Sequence, residues 1–150
     1  MRSSVIIGGK SPKNDRNAAD FYATPPECTI ALLNCFEWLF RGRRIWEPAC
    51  GDGAISKVLE ERNFRVVSTD LHDRGYGDGG MNFLNADCYC GAIITNPPFN
   101  LAADFIEKAA ATGVPFAPER GKSATMDFIW TVWGSTPNHT TEYILQGKDK

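Results

Sequence analysis

The residues best suited to chemistry are Asn96, Pro97, Pro98 and Phe99. The side-chain oxygen of Asn96 and the carbonyl oxygen of Pro97 can together accept both N–H bonds of one planar NH2 group, and an aromatic ring at 99 can stack on the ring that bears it. Accepting both bonds discourages the nitrogen lone pair from delocalising into the ring and aims it at an electrophile. A second constellation is Glu47-Pro48-Ala49-Cys50-Gly51-Asp52-Gly53, followed by an amphipathic run. Glycines between a strand and a helix let the backbone turn tightly against a ligand at the positive helix end, which describes a cradle for a nucleoside cofactor. A dinucleotide fingerprint is not met, because Ser56 stands where the third glycine belongs. Gly121-Lys122-Ser123 spells the end of a phosphate loop, but neither an upstream glycine nor an apolar strand precedes it, so it reads as a plain loop. Asp70 stands 23 residues after Glu47, about where an α/β nucleoside-binding sheet places the acid for ribose hydroxyls; a turn or cap residue is the alternative. Glu47, set in the apolar stretch Ile45-Trp46-x-Pro48, needs a donor if it is buried.

These residues must be positioned by regular elements, and the pattern supplies them. Thr24 reads as an N-cap before Pro25, and apolar residues at helical spacing predict a helix from about 26 to 40, ended by Gly42. Residues 43–47 read as a short strand entering the glycine turn, and Ala54 to Arg62 as a second helix. The β-branched run at 64–69, closed by Asp70, reads as a second strand, and residues 73–80 as a glycine-rich loop before a brief apolar piece at 81–84. Ala92-Ile93-Ile94-Thr95 reads as a buried strand stopped by the two prolines, and 101–109 as a third helix. Such alternation predicts an α/β fold with a parallel sheet and crossover helices. Residues 114–123 read as irregular, and 126–133 with 142–146 as an antiparallel hairpin.

Composition sets the outer limits. With 150 residues, 43% hydrophobic and 23% charged, the chain suits one domain over 21–150 preceded by a flexible, Gly- and Ser-rich arm over 1–20. A net charge of −2 excludes indiscriminate polyanion binding, so a nucleic-acid partner would need a local patch, of which Arg41, Arg43 and Arg44 form the densest. The longest apolar stretch, 30–40, is too short to cross a bilayer and no secretory signal is seen, so a cytoplasmic location is expected. Five cysteines without a C-x-x-C pair indicate reduced thiols; Cys88 and Cys90 as half of a metal site is the weaker reading.

The motifs Phe21-Tyr-Ala-Thr-Pro-Pro-Glu, Glu47-Pro-Ala-Cys-Gly-Asp-Gly, Asp70, the glycine loop with Asn82-Phe83-Leu84, and Asn96-Pro-Pro-Phe follow one another as in class I S-adenosylmethionine-dependent methyltransferases. Over residues 20–150 the chain resembles the phage- or prophage-type DNA adenine-N6 methyltransferases of that class. The resemblance implies a Rossmann-like three-layer sandwich, S-adenosyl-L-methionine as cofactor and adenine in DNA as substrate. It implies that Phe21, Tyr22, Thr24 and Pro25 close over the cofactor, that Glu47, Ala49, Cys50, Gly51 and Gly53 hold its methionine moiety, and that Asp70 takes its ribose. Asn82 and Phe83 would meet its adenine, and Asn96, Pro97, Pro98 and Phe99 would form the catalytic motif on the extruded base. RNA adenine and protein glutamine methyltransferases share the Asn-Pro-Pro-aromatic motif, and a cofactor-binding relic without turnover is a further alternative. The chain departs from the family at Asn82, where Asp is usual, and in lacking a strand-helix unit after the third helix. The hairpin is therefore expected to lie directly beside the strand ending at Thr95, leaving a thin substrate-side wall and weak turnover, unless a second copy or a companion chain completes the sheet.

Overall fold

The computed structural model describes residues 22–87, 90–120, 129–136 and 139–146. The expected arm, Phe21, Cys88 and the first part of the expected hairpin lie outside the described residues. The elements run α1 (Pro26–Phe40), β1 (Arg44–Glu47), α2 (Ala54–Glu61), β2 (Arg65–Ser68), β3 (Ala92–Thr95), α3 (Ala102–Thr112), β4 (Phe116–Arg120), β5 (Ile129–Thr136) and β6 (His139–Gln146). Short 3-10 turns at Phe83–Asn85 and Phe99–Leu101 lead into β3 and α3.

The strands form one sheet in the order β2-β1-β3-β4-β5-β6. β2, β1, β3 and β4 are parallel neighbours, while β4–β5 and β5–β6 are antiparallel. Because successive side chains along a strand point to opposite faces, the apolar runs of β1, β3 and β4 feed two cores. Ile45, Ala92, Ile94 and Ala117 pack with Leu32, Leu33, Phe36 and Phe40 of α1 and Ile55, Val58 and Leu59 of α2. Trp46, Ile93 and Phe116 face the other way, onto Phe105 and Ala109 of α3 and onto Phe83. The buried Trp46 indole donates to Thr69 Oγ1 at 2.9 Å, so its one polar atom is satisfied. The result is the expected mostly parallel α/β three-layer sandwich with an antiparallel pair at its C-terminal end.

Four expectations are corrected. Phe116–Arg120, read from sequence as irregular, is a strand, and it pairs with β3 through Ile93–Phe116, Ile94–Ala117 and Thr95–Pro118. Pro118 and two charged residues argue against an interior strand, yet pairing to β5 is made at Phe116 and at Glu119, on either side of the proline. In consequence the hairpin does not lie beside β3; β4 stands between them. The strand of the unit thought missing is thus present. What separates β4 from β5 is a connection too short for a crossover helix, and a short connection returns the chain antiparallel. Thr24, finally, is not the cap of α1. Pro25 occupies that position and no side chain caps the helix, because the Thr24 hydroxyl is engaged elsewhere.

Candidate functional site

β1 is flanked by β2 on one side and β3 on the other, so the chain reverses its direction of winding there. In open α/β sheets ligands bind at such a point, outside the carboxyl ends of the strands. A cleft of about 210 Å³ opens at that place, walled by Tyr22 and Thr24, by the turn after β1, by the turn after β2 and by the turn after β3.

The turn after β1 depends on two glycines. Gly51 (φ +55°) and Gly53 (φ +86°) adopt left-handed backbone, which L side chains rarely adopt. At Gly53 a Cβ would also meet the Tyr76 ring at 2.7 Å. The glycine-rich loop over 73–80 therefore braces the turn from behind, and Lys57 lies 5.3 Å above the same ring. Asp70 closes this side. Its Oδ2 accepts the Gly51 N–H at 2.9 Å and its Oδ1 accepts the His72 N–H at 2.9 Å. A carboxylate offers about four acceptor positions, so both oxygens keep capacity for a ligand.

Glu47, at the end of β1, is fully buried in the cleft wall, and among the described residues neither of its carboxyl oxygens has a well-formed hydrogen bond. Burial raises its pKa well above the usual carboxylate range, the nearby Glu119 and Asp70 raise it further, and the Thr95 hydroxyl and the Asn96 backbone N–H only partly offset them. A buried acid of this kind calls for a cationic donor. Cys50, beside it, is pushed up to about 12, first by burial and then by the negative field of Glu47 and Asp70.

The turn after β3 is organised differently. Asn96 Nδ2 donates to the Tyr22 carbonyl at 3.0 Å and to Thr24 Oγ1 at 3.2 Å. Because a carbonyl only accepts, this contact fixes which end of the amide is nitrogen. Both N–H bonds are committed and the oxygen is the group left to offer. Thr24 Oγ1 in turn donates to Glu119 Oε2. Phe99 and Tyr22 form a tilted ring pair with centroids 5.3 Å apart at the rim, both about half exposed.

Of the residues expected from sequence, Tyr22, Thr24, Glu47, Ala49, Cys50, Asp70, Asn82, Phe83, Asn96, Pro97, Pro98 and Phe99 share this cleft. Gly51 and Gly53 shape its floor from behind, Pro25 caps α1, and Phe21 lies outside the described residues. Asn82 uses its side-chain oxygen on the Leu84 N–H at 3.0 Å, which turns the chain into the 3-10 segment. Sequence reasoning missed Glu119. Its signal was a carboxylate two residues after the apolar Phe116-Ala117 pair, hidden by the reading of that stretch as loop. The exposed Leu71 and Met81, also missed, add apolar surface to the cleft wall. The basic cluster does not reach it: Arg43 donates to the Leu39 and Gly91 carbonyls at the opposite end of β1. No cluster of metal ligands occurs among the described residues, and no helix there is long and apolar enough to cross a membrane.

No protein-family model matches the chain, and no curated protein matches it. Among solved structures it is similar to the 1,6-didemethyltoxoflavin-N1-methyltransferase of Burkholderia thailandensis, determined with 1,6-didemethyltoxoflavin and S-adenosylhomocysteine, at 12% identity and a TM-score of 0.49 over 71% of this chain. The chain spans 56% of that protein's length. It is also similar to the CcbJ methyltransferase of Streptomyces caelestis, at 14% identity and a TM-score of 0.48 over 85% of this chain and 69% of that one.

Proposed function

We propose that this chain transfers a methyl group from S-adenosylmethionine to the exocyclic N6 amine of adenine in DNA. The observation that carries the reading is the Asn96 amide, held by both N–H bonds so that its oxygen is the group left to accept, beside an exposed aromatic pair. An amide so fixed selects an NH2 group, and the Phe99–Tyr22 edge selects a flat ring over a flexible chain.

The chain's residues also fit the cofactor. Glu47 is a buried acid with no well-formed hydrogen bond among the described residues, suited to the methionine ammonium, and Asp70 keeps acceptor capacity for ribose hydroxyls. Bound there, S-adenosylmethionine would supply an electrophilic methyl group on a sulfonium. The protein's own contribution is positioning: Asn96 and Pro97 orient the amine, Phe99 stacks on the extruded base, and no strong base is needed because proximity carries the rate. Extrusion of the base costs a few kcal/mol.

The test is transfer of label from radioactive S-adenosylmethionine to DNA, RNA and protein offered in parallel. Label in DNA adenine is expected. Label in RNA or glutamine alone would replace the substrate, and cofactor binding without transfer to any of the three would make the chain a relic.

A further inference from the structure

Glu119 has no part in the reading above, yet it is a buried carboxyl at the back of the site. Alternation along β4 sends Phe116 toward α3 and Ala117 toward α1, and therefore sends Glu119 toward α1, where the segment carrying Thr24 enters that helix. Its Oε2 accepts the Thr24 hydroxyl, and its Oε1 has no partner among the described residues. A half-satisfied buried acid lowers stability, so its contribution must be sought in what it orients.

Thr24 has a single hydroxyl proton. Because Asn96 donates into Thr24 Oγ1, that proton must go to another acceptor, and Glu119 is the acceptor. If nothing at 119 accepted it, the hydroxyl would turn toward the Asn96 oxygen or the Tyr22 carbonyl. Either turn would compete with the bonds that hold the amide. A flipped amide would set its N–H groups against a substrate NH2, donor against donor. We propose that Glu119 is a positioning residue, which fixes the acceptor orientation of Asn96 through Thr24. This rests on the reading of Asn96 as the group that receives the substrate amine.

Three measurements on the full chain test it. The first is the hydrogen exchange rate of the Asn96 side-chain NH2, followed by NMR and assigned by its loss in Asn96→Ser. The second is kcat and KM with an adenine-containing oligonucleotide, and the third is affinity for S-adenosylhomocysteine. In Glu119→Ala and Thr24→Val the Asn96 NH2 should exchange about tenfold faster and kcat should fall about tenfold, the scale of one lost hydrogen bond, and in Glu119→Ala affinity for S-adenosylhomocysteine should be nearly unchanged. Thr24→Ser and Glu119→Gln, which keep a hydroxyl and an acceptor, should restore both. The double variant should be no worse than either single one, because the residues act in series. Unchanged NH2 exchange in Glu119→Ala would overturn the proposal, as would additive losses in the double variant. Failure of Glu119→Gln to restore either quantity would also overturn it and mark the residue as structural. If the unaltered chain transfers no methyl group, the proposed function fails while the exchange arm still decides the role of Glu119.

Discussion

The two sides of the cleft are built on different principles. On the side of β1 and β2, the anchoring acid Asp70 is held by backbone N–H groups of Gly51 and His72, 19 and 2 residues away, the first set in a left-handed glycine turn. Side chains elsewhere in the fold contribute little to that arrangement. On the side of β3, Asn96 is held by Tyr22 and Thr24, more than 70 residues away, and Thr24 is held by Glu119, 95 residues away. A site made from neighbouring backbone tolerates changes at a distance; one made from a relay of distant side chains loses its geometry when any member is altered. Cofactor binding and substrate orientation should therefore be separable by mutation.

The largest effect should come from breaking the relay at its working end. Asn96→Ala removes an oriented acceptor, and methyl transfer should fall about 10²–10³-fold, the scale seen when one preorganised hydrogen-bonding group is deleted. Affinity for S-adenosylhomocysteine by calorimetry should change by no more than a few-fold. Equal loss of both would show that the two sides are not independent. Next in size is the pH dependence of folding. Burial pushes the Glu119 carboxyl up from 4.5 to about 7, so between those values the folded chain keeps a proton that the unfolded chain has lost. Stability should fall as pH rises through that window and level off above it as far as this group is concerned, while Glu47, raised well above the usual range, carries its own fall to higher pH. At about 1.4 kcal/mol per unit, the Glu119 share is on the order of 3 kcal/mol at most. Glu119→Gln should flatten the slope between about pH 5 and about pH 7 in denaturant titrations; an unaltered slope would show that the carboxyl ionises normally. The smallest effect belongs to the self-contained side. Asp70→Ala should weaken cofactor binding about ten- to a hundredfold, from the loss of charge-assisted bonds worth about 1.5–3 kcal/mol. Unchanged affinity would remove Asp70 from the site.

The contrast also explains what could be read from sequence. The turn after β1 and the acid after β2 are encoded locally: Gly51 and Gly53 are glycines because the backbone there is left-handed, and Asp70 follows a β-branched strand at a fixed distance. The Asn96-Pro97-Pro98-Phe99 segment was visible for the same reason, since prolines stop β3 where the cleft begins. The relay was not. Thr24 looks like a helix cap, and only the position of β4 shows that its hydroxyl reaches Glu119 instead. Pro118, Glu119 and Arg120 carry turn and surface propensities, and tertiary placement between β3 and β5 overrides them. Missing that strand also misplaced the hairpin, because strand order follows from which edges are already occupied.

Cys50 lies in the wall of the cleft, between the glycine turn and the Tyr76 carbonyl that its sulfur contacts at 3.4 Å. A cysteine beside an alkylating cofactor is a competing nucleophile if it ionises, since the thiolate is the reactive form. Burial first, and then the acids that prepare this cleft for a cation, hold that thiol protonated: with its pKa pushed up to about 12, only about one molecule in 10⁵ carries a thiolate at pH 7. On the proposed reading, the burial of Cys50, and after it the nearby acids, thus protect the protein from methylating itself.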